Sequence, residues 1–204
     1  MKQSTCVDFQ IIKSKPLLIV ISGPSGVGKD SVVKALKERS DAFHFVITAN
    51  TRKPRPDEVE GVDYFFVSKE RFEEMIANDE LAEWAHVYGD YKGVPRSQIE
   101  GAMKSGKDVL MRLDVQGASK IKKLYPHAIL VFLIPSDEEE WHSRLLERAK
   151  EQGKDVDMDI RVQKVREELE SLDIFTYAVV NADGKLDHTV DMILSIVEAE
   201  HHKL

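Results

Sequence analysis

The segment LLIVISGPSGVGKDSVVKAL, residues 17–36, constrains the fold of this 204-residue chain more than any other. It opens with a continuous apolar run, as expected of a strand buried on both faces, and passes through a glycine-rich turn into a helical pattern. Gly23, Gly28 and Lys29 match the G-x-x-x-x-G-K spacing of a phosphate-binding loop. The N–H groups that open the helix, together with its positive dipole end, favour anions. The segment therefore predicts a nucleoside triphosphate site, with a purely structural turn as the alternative, and it does not identify the phosphate acceptor.

The composition of the chain argues against several classes of protein. The formal net charge of −7 argues against a general nucleic-acid-binding protein, which would normally carry a basic face. No apolar run approaches the roughly 18 residues of a membrane span. The single cysteine, Cys6, excludes an internal disulfide framework and fits a reducing compartment. The start of the chain, MKQSTCVDFQIIKSK, lacks a signal-peptide core and contains no arginine. We therefore predict a soluble globular protein with neither nucleic acid nor membrane as a partner.

The rest of the chain alternates apolar strand candidates with helical patterns. The predicted strands are Leu17–Ile21, Asp108–Val115, Ala128–Ile134 and Tyr177–Asn181. The predicted helices are Ser31–Arg39, Ser97–Lys104, Ala118–Leu124, Glu138–Glu151 and Ile160–Leu172. Such alternation predicts an α/β fold, with a mainly parallel sheet flanked by helices. The segment from Thr48 to Pro95 interrupts it with glycines, prolines, an Arg/Pro cluster, aromatic residues and short strand-like pieces such as YFFV, and we interpret it as an inserted lobe.

Several separated motifs, in the same order, resemble the guanylate kinases. They are TANTRKPRPDEVEGVDYFFVS and EWAHVYGDYKGVP in the lobe, and LDVQGA and VVNADGKLD later in the chain. The resemblance implies the reaction ATP + GMP ⇌ ADP + GDP, with dGMP as a further acceptor and Mg²⁺ as cofactor. The GKD loop, YKGVP and RLDVQGA look closest to the plant organellar branch. That branch implies a plastid or mitochondrial location, with the cytoplasm as the alternative.

The resemblance also implies an architecture. It is a single domain with a P-loop NTPase-type core of about residues 15–47, 96–135 and 173–204. A lobe that binds the nucleoside monophosphate covers about residues 48–95, and a helical lid covers about 136–172. We expect a monomer or a weak homodimer.

Two arginines are spaced as a clamp for the phosphate of the acceptor. Guanidinium groups bind phosphate bidentately, and by resemblance Arg52 and Arg55 hold the 5′-phosphate of GMP. Tyr64 would donate its hydroxyl to the same phosphate. Lys92 and Gly93 would complete this end of the site, with the lysine standing where a second tyrosine is common. A solvated basic turn is the alternative for the RKPRP cluster.

A carboxylate is needed to distinguish guanine from adenine, because guanine presents N1–H and N2–H donors on one edge. Glu83 stands where the family places that carboxylate, and Thr48 occupies the position of a small hydroxyl residue that contacts the base. A polar site left unpaired by the wrong base is costly, so such a pocket rejects AMP. Asp114 follows a strand and is assigned to the GMP and magnesium neighbourhood. An exposed charge is the alternative for Glu83, and a helix cap is the alternative for Asp114.

The donor side combines the loop with the lid. The predicted ATP-binding residues are Gly23, Ser25, Gly26, Val27, Gly28, Lys29, Asp30, Ser31 and Asn181. The predicted catalytic residues are Lys29, Arg52, Arg148 and Arg161, with Arg144 as the runner-up in the lid. Arginines on a closing lid would neutralise the transferred phosphoryl group and exclude water. For each lid arginine a solvated helix face is the alternative, and for Asn181 a strand-end turn is the alternative to a contact with adenine.

Two charges depart from the family pattern. Asp30 replaces the Ser or Thr that normally follows the loop lysine, and Arg112 replaces an acidic residue two positions before Asp114. A carboxylate at position 30 would repel phosphates but attract Mg²⁺, which prefers oxygen ligands. We therefore predict a rearranged magnesium shell of Asp30, Ser31 and Asp114, in part through water. On this hypothesis, Asp30→Ala weakens the Mg²⁺ dependence more than the affinity for GMP.

Two other classes of function compete with this interpretation. Scaffold proteins use guanylate-kinase-like domains to bind peptides, but such relatives typically lack a working loop, whereas this chain keeps Gly23, Gly28, Lys29, Arg52 and Arg55. A kinase for another nucleoside monophosphate is the second competitor. A comparison of GMP, dGMP, AMP, UMP and CMP as acceptors separates the three.

Overall fold

The computed structural model describes residues 15–203 except 57, 88 and 152–157, and it leaves the side chains of 87, 148–151, 159 and 160 undescribed. In chain order the elements are β1 (Leu18–Ser22), α1 (Lys29–Arg39), β2 (Phe43–Phe45), β3 (Thr48–Asn50), β4 (Tyr64–Phe66), α2 (Lys69–Ala77), β5 (Leu81–Val87), β6 (Asp90–Pro95), α3 (Arg96–Lys104), β7 (Asp108–Arg112), α4 (Val115–Leu124), β8 (Ile129–Ile134), α5 (Glu138–Glu151), α6 (Met158–Leu169), a short 3₁₀ helix (Leu172–Ile174), β9 (Tyr177–Val180) and α7 (Leu186–His201).

The core is a five-stranded parallel sheet in the order β2-β7-β1-β8-β9. Its central strand β1 is completely buried, which is why its sequence is a continuous apolar run instead of an alternation. Two hydrophobic clusters use opposite sides of this strand, since Ile19 and Ile21 belong to one and Leu18 and Val20 to the other. The strands therefore end at one common edge, where the loop after β1 and the residues after β7 lie together.

A second, four-stranded sheet in the order β4-β3-β6-β5 is built from the segment predicted as an inserted lobe. Strands β3 and β4 are parallel, and the other pairs are antiparallel. Helix α2 begins at Ser68, whose side chain accepts a hydrogen bond from the backbone N–H of Arg71, and it buries Phe72 and Met75 against this sheet. Strand β5 also packs against α4 of the core, and β6 runs directly into α3. These two connections set the position of the lobe side chains relative to the core.

The predicted fold class is confirmed, and all predicted strands and helices are present with boundaries shifted by a few residues. The sequence analysis did not predict β2, α2 or α7. Helix α7 packs on α1, and its buried residues Thr189, Val190, Ile193 and Val197 have the spacing of one helix face. Among the residues described, no helix is both long enough and apolar enough to cross a membrane.

Candidate active site

The glycine-rich loop takes a backbone shape that only small residues allow. Gly23 has φ 141° and Gly28 has φ 92°. A Cβ at Gly23 would lie 2.4 Å from the carbonyl oxygen of Leu133, and a Cβ at Gly28 would lie 2.6 Å from Nδ2 of Asn181. Gly28 is also the N-cap of α1 and brings no capping side chain, so it leaves the first N–H groups of that helix available to an anion.

Side chains from other elements hold the outer carbonyls of the loop. Nε1 of Trp141 donates to the carbonyl oxygen of Ser25 at 2.8 Å. Nδ2 of Asn181 and Nη1 of Arg144 donate to the carbonyl oxygen of Val27 at 2.7 and 3.3 Å. Because the C=O and N–H of one planar peptide point in opposite directions, these bonds also orient the amides that follow in the loop. Side chains from outside the motif therefore position the loop by binding its carbonyl groups.

Lys29 bonds to the loop itself in this structure. Its Nζ donates to the carbonyl oxygens of Gly23 and Pro24 at 2.6 and 2.9 Å. Burial lowers the pKa of Lys29 from 10.5 to about 8, and the carboxylates of Asp30 and Glu168 partly offset this effect. The ammonium therefore remains charged at pH 7, but it loses its proton more readily than an exposed lysine.

The two helices predicted as the lid reach the loop through arginine side chains. Nη1 of Arg161, on α6, donates to Oγ of Ser25 at 2.9 Å. Arg144, the runner-up, pairs with Glu140 at 2.5 Å besides its bond to the loop. Arg148 lies in the last turn of α5, and its side chain is outside the described residues. The structure thus brings Arg161 and Arg144 to the loop and leaves the prediction for Arg148 open.

One carboxylate organises both clamp arginines, and the sequence analysis did not identify it. Glu58 accepts from Nη1 and Nη2 of Arg52 at 2.6 and 2.5 Å, and from the backbone N–H of Arg55 at 2.9 Å. Although burial acts in the opposite direction, hydrogen bonds from Arg52 and Arg55 lower the pKa of Glu58. The only sequence signal was its spacing, three residues after the second arginine. Glu58 therefore fixes the guanidinium of Arg52 and the backbone at Arg55 relative to each other.

The ring of Tyr64 is surrounded by cations. The ring centroid lies 5.0 Å from the guanidinium carbon of Arg52, 5.7 Å from Nζ of Lys92 and 4.9 Å from the guanidinium carbon of Arg112. Nη1 of Arg112 also donates to Oδ1 of Asp30 at 2.6 Å. A continuous path of contacts therefore runs from the clamp, through Tyr64 and Arg112, to the residue that follows Lys29.

Glu83 is a buried acid with an unused oxygen. Its residue is 6% exposed, and its Oε2 finds no hydrogen-bond partner within the described part of the chain. Burial, together with the nearby carboxylate of Asp114, raises the pKa of Glu83 from 4.5 to about 7. A Cβ at Gly117 would lie 3.2 Å from this carboxyl group, so a glycine keeps the space beside it open. A buried acceptor that lacks a partner is what a base with two N–H donors would satisfy.

The remaining predicted residues have identifiable structural contacts. Asp114 caps α4, since its Oδ1 accepts from the backbone N–H of Gly117 at 2.8 Å, so the capping alternative is observed. Gly93 packs closely, because a Cβ there would lie 2.9 Å from Phe72. Thr48 is buried in β3, paired with Tyr64 in the register of the lobe sheet. None of these contacts tests a role in nucleotide binding, which stays a prediction.

Asn181 is used within the protein. Besides its bond to Val27, its Oδ1 accepts from Oγ1 of Thr189 at 2.9 Å. The predicted contact with adenine stays untested, but this side chain clearly supports the loop. Trp141 does the same from α5, and nothing in the local sequence pattern pointed to it.

The acidic residues that the structure describes at the site do not form a metal-binding cluster by themselves. Across the described ranges, no group of three or more His, Cys, Asp or Glu side chains is arranged to hold a metal ion.

Comparison with known proteins gives a consistent result. The family model described as guanylate kinase matches residues 15–200. The chain is 44% identical over 191 residues to guanylate kinase 2, chloroplastic/mitochondrial, of Oryza sativa subsp. japonica, covering 93% of this chain and 66% of the rice protein. It is also 44% identical over 186 residues to the guanylate kinase of Bacillus cereus, covering 91% of this chain and 89% of that protein. The crystal structure of guanylate kinase from Anaplasma phagocytophilum is similar with a TM-score of 0.75 at 30% identity, covering 94% of this chain and 89% of that one.

Proposed function

This chain belongs to the guanylate kinase family and is an enzyme that phosphorylates GMP to GDP with ATP, and we propose that the transfer takes place where the loop around Lys29 meets the cations around Tyr64. The observation that carries this proposal is the path of contacts from Arg52 through Tyr64 and Arg112 to Asp30, together with the buried carboxyl group of Glu83, whose Oε2 has no hydrogen-bond partner among the residues that the structure describes. A phosphate donor bound at one end and a phosphate acceptor bound at the other are then adjacent.

The acceptor end positions GMP by charge and by its base. Arg52, Arg55, Lys92 and the hydroxyl of Tyr64 bind the 5′-phosphate, which displaces the guanidinium of Arg52 from part of its pairing with Glu58. Glu83 accepts from the N–H donors of guanine, with Thr48 as a second contact to the base. Since Glu83 lies in a buried site, a base without those donors leaves its carboxylate unpaired, and dGMP, which has the same base, is a substrate too.

The donor end positions ATP by main-chain groups. Amides of the loop and the first turn of α1 bind the phosphates, and Lys29 exchanges its bonds to two loop carbonyls for the transferred phosphoryl group. Arg161 and Arg148 add positive charge from the lid. No covalent nucleophile is required, because the attacking oxygen of GMP is already anionic. The protein contributes alignment, charge neutralisation and exclusion of water.

Magnesium accompanies ATP in this proposal and supplies further charge neutralisation between the phosphates. The hydroxyl of Ser31 and the carboxylate of Asp114 are the protein groups assigned to it. Asp30, whose carboxylate accepts a hydrogen bond from Arg112, would hold the ion only through water.

The test is a coupled assay with GMP, dGMP, AMP, UMP and CMP as acceptors at saturating Mg·ATP. We expect turnover with GMP and dGMP and at least a hundredfold lower kcat/KM with the other three. Binding of GMP without turnover would favour the scaffold class instead, and a preference for AMP would remove the assigned role of Glu83. Glu100→Gln, an exposed acid on α3, is a control that should leave the order of acceptors unchanged.

Partners and location extend this proposal. We infer that ATP and GMP are the substrates, that the enzyme acts as a monomer or weak homodimer, and that nucleic acid and membranes are not partners. The printed name of the rice relative refers to chloroplast and mitochondrion, and we propose one of these compartments, with the cytoplasm as the alternative because bacterial relatives are equally similar.

A further inference from the structure

Arg112 is the last residue of β7, and its guanidinium joins the two halves of the site. Nη1 donates to Oδ1 of Asp30 at 2.6 Å, and the guanidinium carbon lies 4.9 Å from the centroid of the Tyr64 ring. Its side chain is 20% exposed, so most of it is removed from water. The family pattern has an acid at position 112 and a hydroxyl residue at position 30. In this chain the acid stands at position 30 instead and is paired with the arginine.

Three cations meet at the Tyr64 ring, and this concentration of like charge needs an explanation. Arg52 is paired with Glu58 and Arg112 with Asp30, whereas the ammonium of Lys92 forms no hydrogen bond or ion pair with any residue that the structure describes. Burial, followed by repulsion from the guanidinium of Arg112, lowers the pKa of Lys92. Half-buried like charges repel one another strongly unless an anion lies between them. The cluster therefore favours a multiply charged anion, and a phosphate monoester at neutral pH carries close to two negative charges.

We propose that Arg112 binds the phosphate of GMP together with Arg52 and Lys92, and that Asp30 is the positioning residue that holds Arg112 toward Tyr64. This inference rests on the proposed function, and it adds Arg112 to the side chains that bind the phosphate of GMP. It also explains how a phosphate-binding loop tolerates a carboxylate next to its lysine, because Arg112 neutralises that carboxylate. The magnesium role assigned to Asp30 is then secondary.

The first experiment compares Arg112→Gln with a matched control, Arg39→Gln. Arg39 stands at the other end of α1 and pairs with Asp191 at 2.5 Å, so the control removes an equally short ion pair away from the site. Calorimetry measures the Kd of each protein for GMP and for guanosine, which has the same base but no phosphate. We expect Arg112→Gln to weaken GMP by roughly 10- to 100-fold, the range for a hydrogen bond to a charged group, and to change guanosine by less than about twofold, within the usual scatter for a group that makes no contact.

Guanosine binding also shows that the pocket is folded, so a loss of GMP alone is specific to the phosphate. Equal loss of GMP and guanosine, or no loss of either, would overturn the proposal and leave Arg112 as a structural ion pair. A wild-type protein that neither binds nor phosphorylates GMP would instead remove the proposed function, which keeps the two failures distinct.

The second experiment tests Asp30 through a double-mutant cycle with Arg112. Asp30→Asn should raise the KM for GMP by roughly 3- to 10-fold, a larger factor than any change in kcat, because a misplaced guanidinium weakens GMP binding more than the chemical step. In the Arg112→Gln background the same change should have little further effect, since coupled residues are not additive. Arg112→Lys should recover part of the GMP affinity. If Asp30→Asn shifts the Mg²⁺ titration more than the KM for GMP, the positioning role is wrong.

Discussion

The two phosphate sites proposed for this enzyme differ in the groups that form them: one consists mainly of backbone amides and the other of cationic side chains. At the loop, backbone amides face the anion, and their orientation is set by donors such as Trp141 and Asn181 that grip the outer carbonyls. Around Tyr64, the proposed acceptor site consists of cationic side chains, two from the lobe (Arg52 and Lys92) and one from the core strand β7 (Arg112). A site made of main-chain groups depends on the loop glycines and on the side chains that hold its carbonyls, whereas a site made of side chains can be altered one group at a time.

The hydrogen bonding of Lys29 and of Glu83 differs as well. Lys29 finds two carbonyl partners within the loop, so ATP must replace bonds that already exist. In the lobe, one oxygen of Glu83 finds no hydrogen-bond partner among described residues, and GMP would provide it with its first. Because an unsatisfied buried polar group costs about 1–3 kcal/mol, the lobe gains more from its correct ligand and loses more with a wrong one. The loop is suited to hold any nucleoside triphosphate, and the lobe is suited to discriminate.

The largest expected effect tests whether the loop lysine acts on transfer and not on the lobe. Lys29→Met should lower kcat by at least about 10²- to 10³-fold, as expected for the loss of one transition-state charge contact. The Kd for GMP should stay within about threefold, because none of the lobe contacts is removed. A coupled assay and GMP calorimetry give the two quantities. A parallel loss of turnover and GMP binding would show that the two sites are not separable in this way.

The next effect tests discrimination in the lobe. Glu83→Gln should reduce the preference for GMP over AMP by roughly 10- to 100-fold, because glutamine cannot accept from both guanine donors as a carboxylate does. The KM for ATP should be unaffected. Acceptor competition between GMP and AMP at fixed Mg·ATP measures the ratio, and an unchanged ratio would move base discrimination to another residue.

Glu83→Gln should stabilise the folded protein at high pH, although it lowers the preference for GMP. The folded protein keeps a proton on Glu83 up to a pH of about 7, whereas an unfolded glutamate loses it near 4.5, so this group's contribution to the unfolding free energy falls as the pH rises between those values. Above pH 7 the charged form costs at most about 3 kcal/mol. Glu83→Gln should therefore be more stable than the wild type at pH 8 in urea titrations, with the difference shrinking toward pH 4.5.

A smaller effect tests whether Asn181 stabilises the loop through its hydrogen bond to the carbonyl oxygen of Val27. Asn181→Ala removes the donor to Val27 and should raise the KM for ATP by about tenfold or less, at a stability cost of about 1–3 kcal/mol. If support of the loop is its main role, GTP used as donor should suffer as much as ATP, whereas a contact with adenine would make the loss selective for ATP. Asn78→Ala, an exposed amide in the lobe, is the control and should change neither.

The smallest expected effect is a difference between GMP and ATP in the pH dependence of kcat/KM. The value of kcat/KM reports groups in the free enzyme. For GMP it should fall as the pH drops below about 7, where Glu83 takes up its proton, and for ATP it should fall above about 8, where Lys29 loses its own. The fall in kcat/KM for GMP begins near pH 7, which is above the second pKa of a phosphate monoester, about 6. Protonation of the GMP phosphate therefore begins at a lower pH than this fall. Glu83→Gln should flatten the low-pH limb alone, and a limb that persists in that variant would have another origin.

Contiguous features were the predictable ones. The loop, its strand and its helix are encoded by neighbouring residues, and the clamp arginines stand three apart in a recognisable motif. Asp30 and Arg112 are 82 positions apart, and the sequence analysis connected them only through the magnesium shell, whereas the structure brings them together as an ion pair. Glu58 has the appearance of a turn acid, and its role depends on the folded path of the chain. Helix α7 was missed although its buried residues have the regular spacing of one helix face.

The two tryptophans of the chain are divided between the two sites. Trp141 is 4% exposed and bonded to the loop, so its emission should be blue-shifted and should respond to ATP. Trp84 is 37% exposed in the lobe, with the ammonium of Lys120 near its ring, so its emission should be red-shifted and should respond to GMP. With either indole replaced by phenylalanine, the remaining fluorophore becomes a native optical reporter for one substrate, and the order in which the two nucleotides arrive can be followed in a stopped-flow instrument without any added label.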